Sequence, residues 1–286
     1  MRAEEQRALR VGVVGLGAMG RPISRHLAGA GHRVFGYDPM EAAGASAAAL
    51  GVTLCASPAE LAASCDLMLI LVGFETEVED VLFGADGLAR EARPNLTVAI
   101  GSTIAPGYCR GLSERLAALG IGLLDIPLAR GEQAAEAGQL LLFAGGPREV
   151  FERFAPVFAS FASNIHYLGL TGAGQVGKMV NNLILWTCIA INDEGLRFGQ
   201  ALGVAPGPLR LALSEASAQN WALSSGAENR PLPWAEKDMH MVLAEAEALA
   251  FELPMAATVE TAITAYKRRK GLHTPVAPAV RARAGS

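Results

Sequence analysis

The segment that decides the fold reads VGVVGLGAMGRP and runs from Val11 to Pro22. It begins with apolar residues, as a buried β-strand does, and glycines follow at positions 15, 17 and 20. The residues after the glycines have the spacing of an amphipathic helix. A strand, a glycine-rich turn and a helix in this order predict the first unit of a doubly wound parallel sheet.

The same turn predicts a dinucleotide site. Gly15 permits the tight turn, Gly17 lets the backbone approach a pyrophosphate, and Gly20 lets the helix pack close to the strand. Free N–H groups and the dipole at the helix N-terminus favour the phosphates. The alternative is a tight turn that binds nothing. The residues expected to contact the cofactor here are Gly15, Leu16, Gly17, Ala18, Met19 and Gly20.

A carboxylate follows the second predicted strand, at Asp38 in the sequence VFGYDP. A carboxylate at this place can accept hydrogen bonds from both ribose hydroxyls and repels a 2′-phosphate. We therefore expect NAD in preference to NADP, with NADP still possible. Alternatively, Asp38 only opens the turn at Pro39.

The composition limits the classes of function. The chain has 286 residues, 51% of them hydrophobic, and a formal net charge of −4. This charge gives no general attraction to nucleic acid or to anionic membranes, so we expect a small-molecule partner. The cysteines and histidines lack the spacing of metal ligands or of a hydrolytic triad, so we expect no metal. The N-terminus lacks a signal-peptide core, and the apolar run Leu183 to Ile191 is too short to span a bilayer, which predicts a soluble, cytoplasmic protein.

Two domains are expected. Short apolar runs alternate with amphipathic segments up to residue 168, which is typical of βαβ units, and long helical periodicity follows. We predict an α/β Rossmann-type domain over residues 1–168 and an all-helical substrate and oligomerisation domain over residues 169–286. Strands are expected at Arg10 to Val14, Arg33 to Tyr37, Leu67 to Val72, Thr97 to Ile100, Gly122 to Ile126, Leu140 to Ala144 and Ile165 to Tyr167. Helices of the second domain are expected at Gln175 to Ala201, Pro206 to Ser217, Ala235 to Phe251 and Met255 to Arg268, with a break at Pro231 and a disordered tail after His273.

Four motifs occur in order along the chain. They are GLGAMGRP from Gly15, GSTIAPG from Gly101, GLTGAGQVGKMVNN from Gly169, and the pair Lys237-Asp238. Through these motifs the chain resembles the β-hydroxyacid dehydrogenases, the family of 3-hydroxyisobutyrate dehydrogenase, 6-phosphogluconate dehydrogenase and tartronate semialdehyde reductase. The resemblance implies hydride transfer between NAD(H) and a small, anionic 3-hydroxy acid or semialdehyde. It also implies a homodimer or homotetramer.

Lys178 is the residue that the resemblance implies as general acid and base. Oxidation of an alcohol by hydride transfer requires a base within hydrogen-bond reach of the hydroxyl. A lysine can serve only if burial and nearby positive charge lower its pKa from about 10.4. Asn181 and Asn182 follow three and four residues later, so a helix places them on the same face. The alternative is an ordinary solvated lysine beside a polar stripe.

One motif departs from the family pattern. Many members carry DAPVSGG where this chain has DIPLARG, from Asp125 to Gly131, so Ala129 and Arg130 replace the Ser-Gly pair that usually meets the substrate carboxylate. The fork of donors on Arg130 suits a carboxylate, sulfonate or phosphate. Alternatively, Arg130 pairs on the surface with Glu132 or Glu136.

The resemblance implies further site residues. Ser102 and Thr103 end a strand on the side where open α/β sheets bind ligands, although they could instead cap the helix that starts near Pro106. The expected substrate contacts are Ser102, Arg130, Gly131, Asn181 and Asn182, and the additional cofactor contacts are Val72, Thr103 and Lys237.

Two other functions stay open from the sequence alone. Imine reductases, which use NADPH, have a similar fold and glycine motif but usually lack the lysine. A dinucleotide-binding sensor without activity would be expected to have lost Lys178 or Asn182, and both are present.

Overall fold

The computed structural model of the chain describes residues 8–226 and 232–276. These residues form two compact units, of which the first ends at Lys178 and the second covers Met179–Val276. This division falls inside a helix, and the domain boundary expected at residue 169 stays a prediction. The break expected at Pro231 and the tail expected after His273 lie wholly or partly outside the described residues.

The first unit is built on a largely parallel sheet, as expected for a doubly wound α/β fold. Within residues 8–178 the strands are β1 (Arg10–Val14), β2 (Arg33–Tyr37), β3 (Thr53–Leu54), β4 (Leu67–Ile70), β5 (Thr97–Ile100), β6 (Gly122–Asp125), β7 (Leu128–Ala129), β8 (Leu140–Gly145) and β9 (Ala162–Gly169). Their order is β3-β2-β1-β4-β5-β6-β8-β7, and β9 pairs with β8. Strands β1 to β6 are parallel, whereas β8 runs antiparallel to β6 and β7.

Helices cover the sheet, and its central strands are buried on both faces. In β4, Leu67 and Leu69 pack into one hydrophobic core while Met68 and Ile70 pack into another. Burial on both faces explains why these strands read as continuous apolar runs. The helices of this unit are α1 (Gly20–Gly29), α2 (Glu41–Ala48), α3 (Pro58–Ser64), α4 (Glu75–Phe83), α5 (Pro106–Ala117), α6 (Gly131–Glu136) and α7 (Arg148–Phe158), with a 3-10 turn at Leu88–Arg90.

The second unit is helical, as expected. Helix α8 (Ala173–Ala201) continues into it from the first unit, and α9 (Pro206–Glu215), α10 (Trp221–Ser225), α11 (Ala235–Ala248) and α12 (Pro254–Lys270) follow. Its core includes Trp186 and Ile189 of α8, Met239 of α11 and Ile263 of α12. None of the helices in the described ranges combines the length and the apolar character that crossing a membrane requires.

Several element ends differ from the expectation for identifiable reasons. Strand β4 ends at Ile70 rather than Val72, because the N–H of Val72 donates to the Ser102 hydroxyl instead of extending the sheet. Helix α11 ends at Ala248 rather than Phe251, because Ala250 takes a left-handed conformation with φ of 49°. Elements β3, β7 and α10 were not expected, since segments of two to five residues are too short to show a periodic pattern.

Candidate functional site

Two glycines of the first turn have no room for a side chain. Gly15 has a φ of 87°, and a Cβ added to it would overlap the carbonyl oxygen of Leu71. A Cβ on Gly20 would overlap the carbonyl oxygen of Gly15. The expected roles of these residues in a tight turn and a close-packed helix therefore agree with the geometry.

The rest of the turn leaves space for a bound anion. A Cβ on Gly17 would meet nothing within 4 Å, and Gly17 and Ala18 are exposed while Leu16 is buried and Met19 half-buried. No side chain in the described ranges caps helix α1, and its first turn carries no acidic residue. An uncapped helix N-terminus beside an open backbone fits a pyrophosphate, so the turn fits the dinucleotide that the sequence predicts.

Asp38 fastens the glycine turn to the end of β2. One carboxylate oxygen, Oδ2, accepts the N–H of Leu16 at 2.8 Å, and Oδ1 accepts the N–H of Met40 at 2.8 Å. The second bond is the turn-opening contact that we gave as the alternative role. Because each carboxylate oxygen has a further lone pair, the same group retains acceptor positions for a ligand.

Ser102 uses its hydroxyl inside the fold. Its Oγ accepts the N–H of Val72 at 2.9 Å and lies 3.3 Å from the carbonyl oxygen of Ile70, to which it donates. Only 5% of Ser102 is exposed. The donor that we expected to reach the substrate therefore points at β4, and what Ser102 does is hold the backbone at Val72.

The N-cap of helix α5 is Ala105, whose N–H donates to Oε1 of Glu75 at 2.5 Å. Ser102 is therefore not the N-cap, and its hydroxyl is bonded to Val72 and Ile70 instead. The alternative role in capping that helix is wrong for Ser102 and stays a prediction for Thr103. Thr103 lies half-buried three residues after the end of β5.

Asp125 fixes the start of helix α8. Its side chain is fully buried at the end of β6, where Oδ1 accepts the N–H of Gly172 at 2.8 Å and Oδ2 accepts the N–H of Gln175 at 2.9 Å. Burial raises the pKa of the Asp125 carboxyl, and the N–H groups of Gly172, Gln175 and Gly174 oppose that shift because they stabilise the charged form. A carboxylate at this place also complements the dipole of the helix.

Gln175 ties the same helix to a second strand end. Its side chain is buried, Nε2 donates to the carbonyl oxygen of Ser102 at 2.9 Å, and Oε1 accepts the N–H of Ile104 at 3.1 Å. The first turn of α8 is thus hydrogen-bonded to the ends of β5 and β6. Asp125 and Gln175 received no role from the sequence alone. In the sequence they stand out only as a polar residue at the end of an apolar strand and a polar residue inside a glycine-rich helix start.

Lys178 follows Gln175 by one turn of α8 and is half-buried. Asn181 and Asn182 follow on the same helix, and Asn181 Nδ2 donates to Asn182 Oδ1 at 3.0 Å. Only 3% of Asn182 is exposed. Residues three and four apart on a helix are neighbours on its surface, so the expected helical arrangement of these three residues is present.

Asp238 sets the orientation of the Asn182 amide. Its Oδ2 accepts Asn182 Nδ2 at 2.8 Å and Trp186 Nε1 at 3.1 Å. A carboxylate can only accept, so this bond assigns the Nδ2 and Oδ1 positions of Asn182. Asp238 is a residue that sequence reasoning noted in a motif without a role. Its neighbour Lys237 is half-buried, with Nζ 5.4 Å from the centre of the Trp234 ring.

Arg130 takes an unusual backbone conformation. It has a φ of 83° and Gly131 has a φ of 73°, both in the left-handed region. Its Nη1 donates to the carbonyl oxygen of Gln139 at 3.2 Å and to Ser163 Oγ at 2.9 Å.

The surface ion pair that we gave as the alternative for Arg130 is wrong. Arg21 and Arg25 engage the carboxylate of Glu136 at 2.8 and 3.1 Å, and within the described residues no ion pair joins Arg130 to Glu132 or Glu136. The hydrogen bonds that join Arg130 to other described residues use Nη1, and its side chain is exposed.

Within the described part of the chain, no three His, Cys, Asp or Glu side chains are grouped so that they could hold a metal ion.

Comparison with protein families matches both units. Residues 10–169 match the family described as the NAD binding domain of 6-phosphogluconate dehydrogenase. Residues 172–282 match the family described as NAD-binding of NADP-dependent 3-hydroxyisobutyrate dehydrogenase.

Individual dehydrogenases are also similar to this chain over most of its length. L-threonate dehydrogenase of Cupriavidus necator is 34% identical over 257 residues, which cover 86% of this chain and 86% of that protein. The 3-hydroxyisobutyrate dehydrogenase of Pseudomonas aeruginosa is 31% identical, with 92% of this chain and 94% of that protein covered. The solved structure of Mycobacterium tuberculosis 3-hydroxyisobutyrate dehydrogenase with L-serine is 26% identical and superposes with a TM-score of 0.82, covering 91% of this chain and 94% of that one.

The glycine turn, the anchored helix with its lysine and the matches over both units lead to one conclusion. The chain belongs to the β-hydroxyacid dehydrogenase family, and it is an NAD(P)-dependent oxidoreductase that acts on CH–OH groups.

Proposed function

We propose that the protein transfers a hydride between NAD(H) and a small 3-hydroxy acid or its semialdehyde, with Lys178 as the general acid and base. The observation that carries this proposal is the anchoring of α8. Asp125 and Gln175 fix its first turn to the ends of β5 and β6, and Lys178 follows one turn later. Open α/β sheets bind their ligands at these strand ends.

The bound nicotinamide supplies the position that accepts or gives the hydride. Lys178 takes the proton from the alcohol oxygen during oxidation and returns it to that oxygen during reduction. To accept the proton of the alcohol, the Lys178 amine must be neutral. Partial burial and neighbouring positive charge favour the neutral amine. Lys237 and Arg130 are the residues that we propose to supply that charge.

Asn182 holds the reacting oxygen in this proposal. Its Nδ2 has a second hydrogen beyond the one donated to Asp238, and its Oδ1 has a second lone pair beyond the one used by Asn181. One group can therefore donate to the substrate oxygen while the other accepts from the Lys178 amine. Lys178 and Asn182 are four residues apart on helix α8, and this separation is compatible with both contacts.

The substrate is proposed to be small and anionic. Arg130 and Gly131 bind its anionic group, in place of the Ser-Gly pair common in the family. The free donors on Nε and Nη2 of Arg130 support this role. Ser102 acts indirectly, by holding the backbone at Val72, and Val72 and Thr103 contact the nicotinamide end of the cofactor. Names of relatives suggest the first compounds to test, which are L-threonate, 3-hydroxyisobutyrate and 2-(hydroxymethyl)glutarate.

The test is a substitution at Lys178. We expect Lys178→Ala to lower kcat by at least about a thousandfold with any substrate of this panel, while the affinity for NADH, measured by its fluorescence, stays within about threefold. Lys270→Ala is the matched control, because Lys270 is an exposed lysine of α12, and it should keep full activity. A Lys178→Ala enzyme with most of its activity would overturn the assignment of the acid and base. Absence of turnover of the whole panel by the unaltered enzyme with both nucleotides would overturn the substrate class.

We also propose that the protein associates as a homodimer or homotetramer through α8. Four large apolar side chains of this helix are between 46% and 66% exposed, namely Val180, Ile184, Ile191 and Phe198. At 100° per residue they fall within about 40° of one another, and they extend over about 27 Å of the helix. Monomeric proteins rarely leave such a continuous apolar surface uncovered.

A cytoplasmic location is the last part of the proposal. The four cysteines, all among the described residues, are free thiols, and burial raises the pKa of each of them. Free thiols are typical of a reducing compartment. Fractionation of the source cells tests the location, and recovery in an extracytoplasmic fraction would contradict it.

A further inference from the structure

A basic cavity lies in the first unit, away from the residues discussed so far. Its volume is about 460 Å³, and its charged lining residues are Arg10, Arg33, Asp66, Arg93 and Arg153. Cavities of several hundred cubic ångströms are typical of small-molecule sites.

The cavity is at the amino ends of the parallel strands. Arg10 is the first residue of β1 and Arg33 the first of β2, and their Cα atoms are register partners. The glycine turn follows the opposite end of β1, which a five-residue strand places about 16 Å away. A ligand of the arginine cavity would therefore bind independently of the cofactor.

Positive charge in this cavity exceeds negative charge. Asp66 Oδ1 lies 2.8 Å from Arg10 Nη2 and 3.3 Å from Arg93 Nη1, so one carboxylate serves two guanidinium groups. Arg33 and Arg153 pair with no carboxylate of the described residues and instead lie over aromatic rings, at 5.9 Å from Phe35 and 4.8 Å from Phe154. Among the described lining residues, four guanidinium groups thus face a single carboxylate, in a chain whose net charge is −4.

Such an arrangement is costly without a counter-ion. Like charges on neighbouring parallel strands repel one another, and a concave surface concentrates their potential. Guanidinium groups present pairs of N–H donors that match the oxygens of a phosphate group, and they are less strongly hydrated than ammonium groups. An anion with several oxygens would relieve the repulsion among all four arginines at once.

We propose that this cavity is a second ligand site, which binds a small anion carrying two or more phosphate groups. Arg33 and Arg153 provide the principal contacts, because no carboxylate of the described residues pairs with them. Arg10 and Arg93 add positive charge while they remain attached to Asp66. The surplus of three positive charges matches the charge of inorganic pyrophosphate near neutral pH better than that of a single phosphate group.

The test is calorimetric titration of the full-length protein with inorganic pyrophosphate, in the presence of saturating NAD so that the glycine turn is occupied. We expect one site per chain. Its affinity should fall at least tenfold in Arg33→Ala and in Arg153→Ala, and it should weaken steeply as sodium chloride is added. Arg268→Ala, which removes an exposed arginine of α12, is the matched control and should bind as the unaltered protein does.

The same two variants show whether a loss of pyrophosphate binding comes from loss of folded protein. Neither Arg33 nor Arg153 belongs to the dehydrogenase site, so a folded variant keeps the properties of that site. Arg33→Ala and Arg153→Ala should keep the unaltered affinity for NADH and the unaltered melting temperature within a few degrees. Absence of binding at millimolar pyrophosphate overturns the proposal, and so does equal affinity in the arginine variants and the control. Both outcomes are independent of whether Lys178 is the acid and base.

Discussion

Asp38 joins the glycine turn to the end of β2 through Oδ2, which accepts the N–H of Leu16, while Oδ1 accepts the N–H of Met40. The same residue carries the one negative charge that the sequence places next to the expected adenosine ribose. We therefore expect one side chain to have both a structural role and a role in nucleotide selection. Replacing the carboxylate with an amide changes the charge, but it leaves one oxygen to accept a backbone N–H.

This coincidence gives a prediction for Asp38→Asn. In the unaltered enzyme we expect kcat/KM with NAD to exceed that with NADP by at least about tenfold, because a carboxylate repels a 2′-phosphate. Asp38→Asn should reduce that ratio by about tenfold or more, measured from initial rates with both nucleotides. Glu41→Gln is the control, since it removes an exposed charge three residues later and should leave the ratio unchanged. A preference for NADP in the unaltered enzyme would contradict the prediction.

At single residues, the sequence predicts what depends on local backbone geometry. The spacing of the glycines indicated a turn whose form the structure reproduces, because a Cβ has no room at Gly15 and Gly20. The sequence did not predict that the Ser102 hydroxyl donates to the carbonyl oxygen of Ile70, or that Arg130 contacts Ser163. Those partners lie some 30 residues away along the chain, and only the packing of distant strands brings them into reach.

At the scale of elements, helix α8 is held by polar groups at several places along its length. Asp125 and Gln175 bind its first turn to strand ends, and Asp238 of α11 accepts from Asn182 and Trp186 further along. Buried polar side chains of this kind lock one rotamer each, since any other rotamer leaves a group without its hydrogen bond. Helix α8 therefore presents the Asn182 side chain in a single orientation.

Asp238 can be tested as a positioning residue that acts through Asn182. We expect Asp238→Asn to lower kcat/KM at least about tenfold, because an amide in place of the carboxylate no longer fixes which end of Asn182 donates. In an Asn182→Ala background the same substitution should cost less than about twofold. Steady-state rates of the four enzymes measure this cycle.

The control is Trp186→Phe, which removes the hydrogen bond from Trp186 Nε1 to Asp238 and should keep most of the activity. Equal losses from Asp238→Asn in both backgrounds would show that Asp238 acts on the reaction without Asn182. Melting temperatures of all variants separate either result from a loss of folded protein.

The sequence predicted most elements because their apolar patterns are long. Strands β1, β2 and β5 have the expected ends, and α8 begins two residues earlier than expected. Two-residue strands such as β3 and β7 could not be predicted, since pairing with a neighbour is what makes them strands. The hydrogen-bond partners of α8 could not be predicted either, because the tertiary structure determines them.

At the scale of the whole molecule, the exposed apolar stripe of α8 defines the surface through which copies of the chain are expected to associate. A two-fold axis places the same patch of each copy against the other, so a stripe along one helix is self-complementary. Charged residues at its centre would be buried without partners in such an interface, at a high free-energy cost.

We therefore expect Ile184→Glu combined with Phe198→Glu to yield monomers. Light scattering coupled to size-exclusion chromatography should give two or four chain masses for the unaltered protein and one for the double variant. Gln200→Glu adds a negative charge to an exposed residue on the other side of the helix and should not change the mass. A monomeric mass for the unaltered protein at micromolar concentration would rule out this association.

The family and its fold were evident from the sequence because four motifs carry them, whereas the arginine cavity was not. Its members stand at positions 10, 33, 66, 93 and 153, with no recurring spacing. Apart from Arg153, which belongs to α7, they converge because parallel strands begin at one edge of a sheet. Sites assembled in this way are visible only after folding.

The buried carboxylate of Asp125 decides where the nucleotide-binding part of the chain can be cut. Both of its oxygens rely on N–H groups that come after the last strand, at Gly172 and Gln175. A fragment that stopped at Gly169 would strand a negative charge in its interior with those donors missing, at a cost of several kcal/mol. A self-sufficient nucleotide-binding fragment must therefore extend at least to Gln175, in the first turn of the next helix.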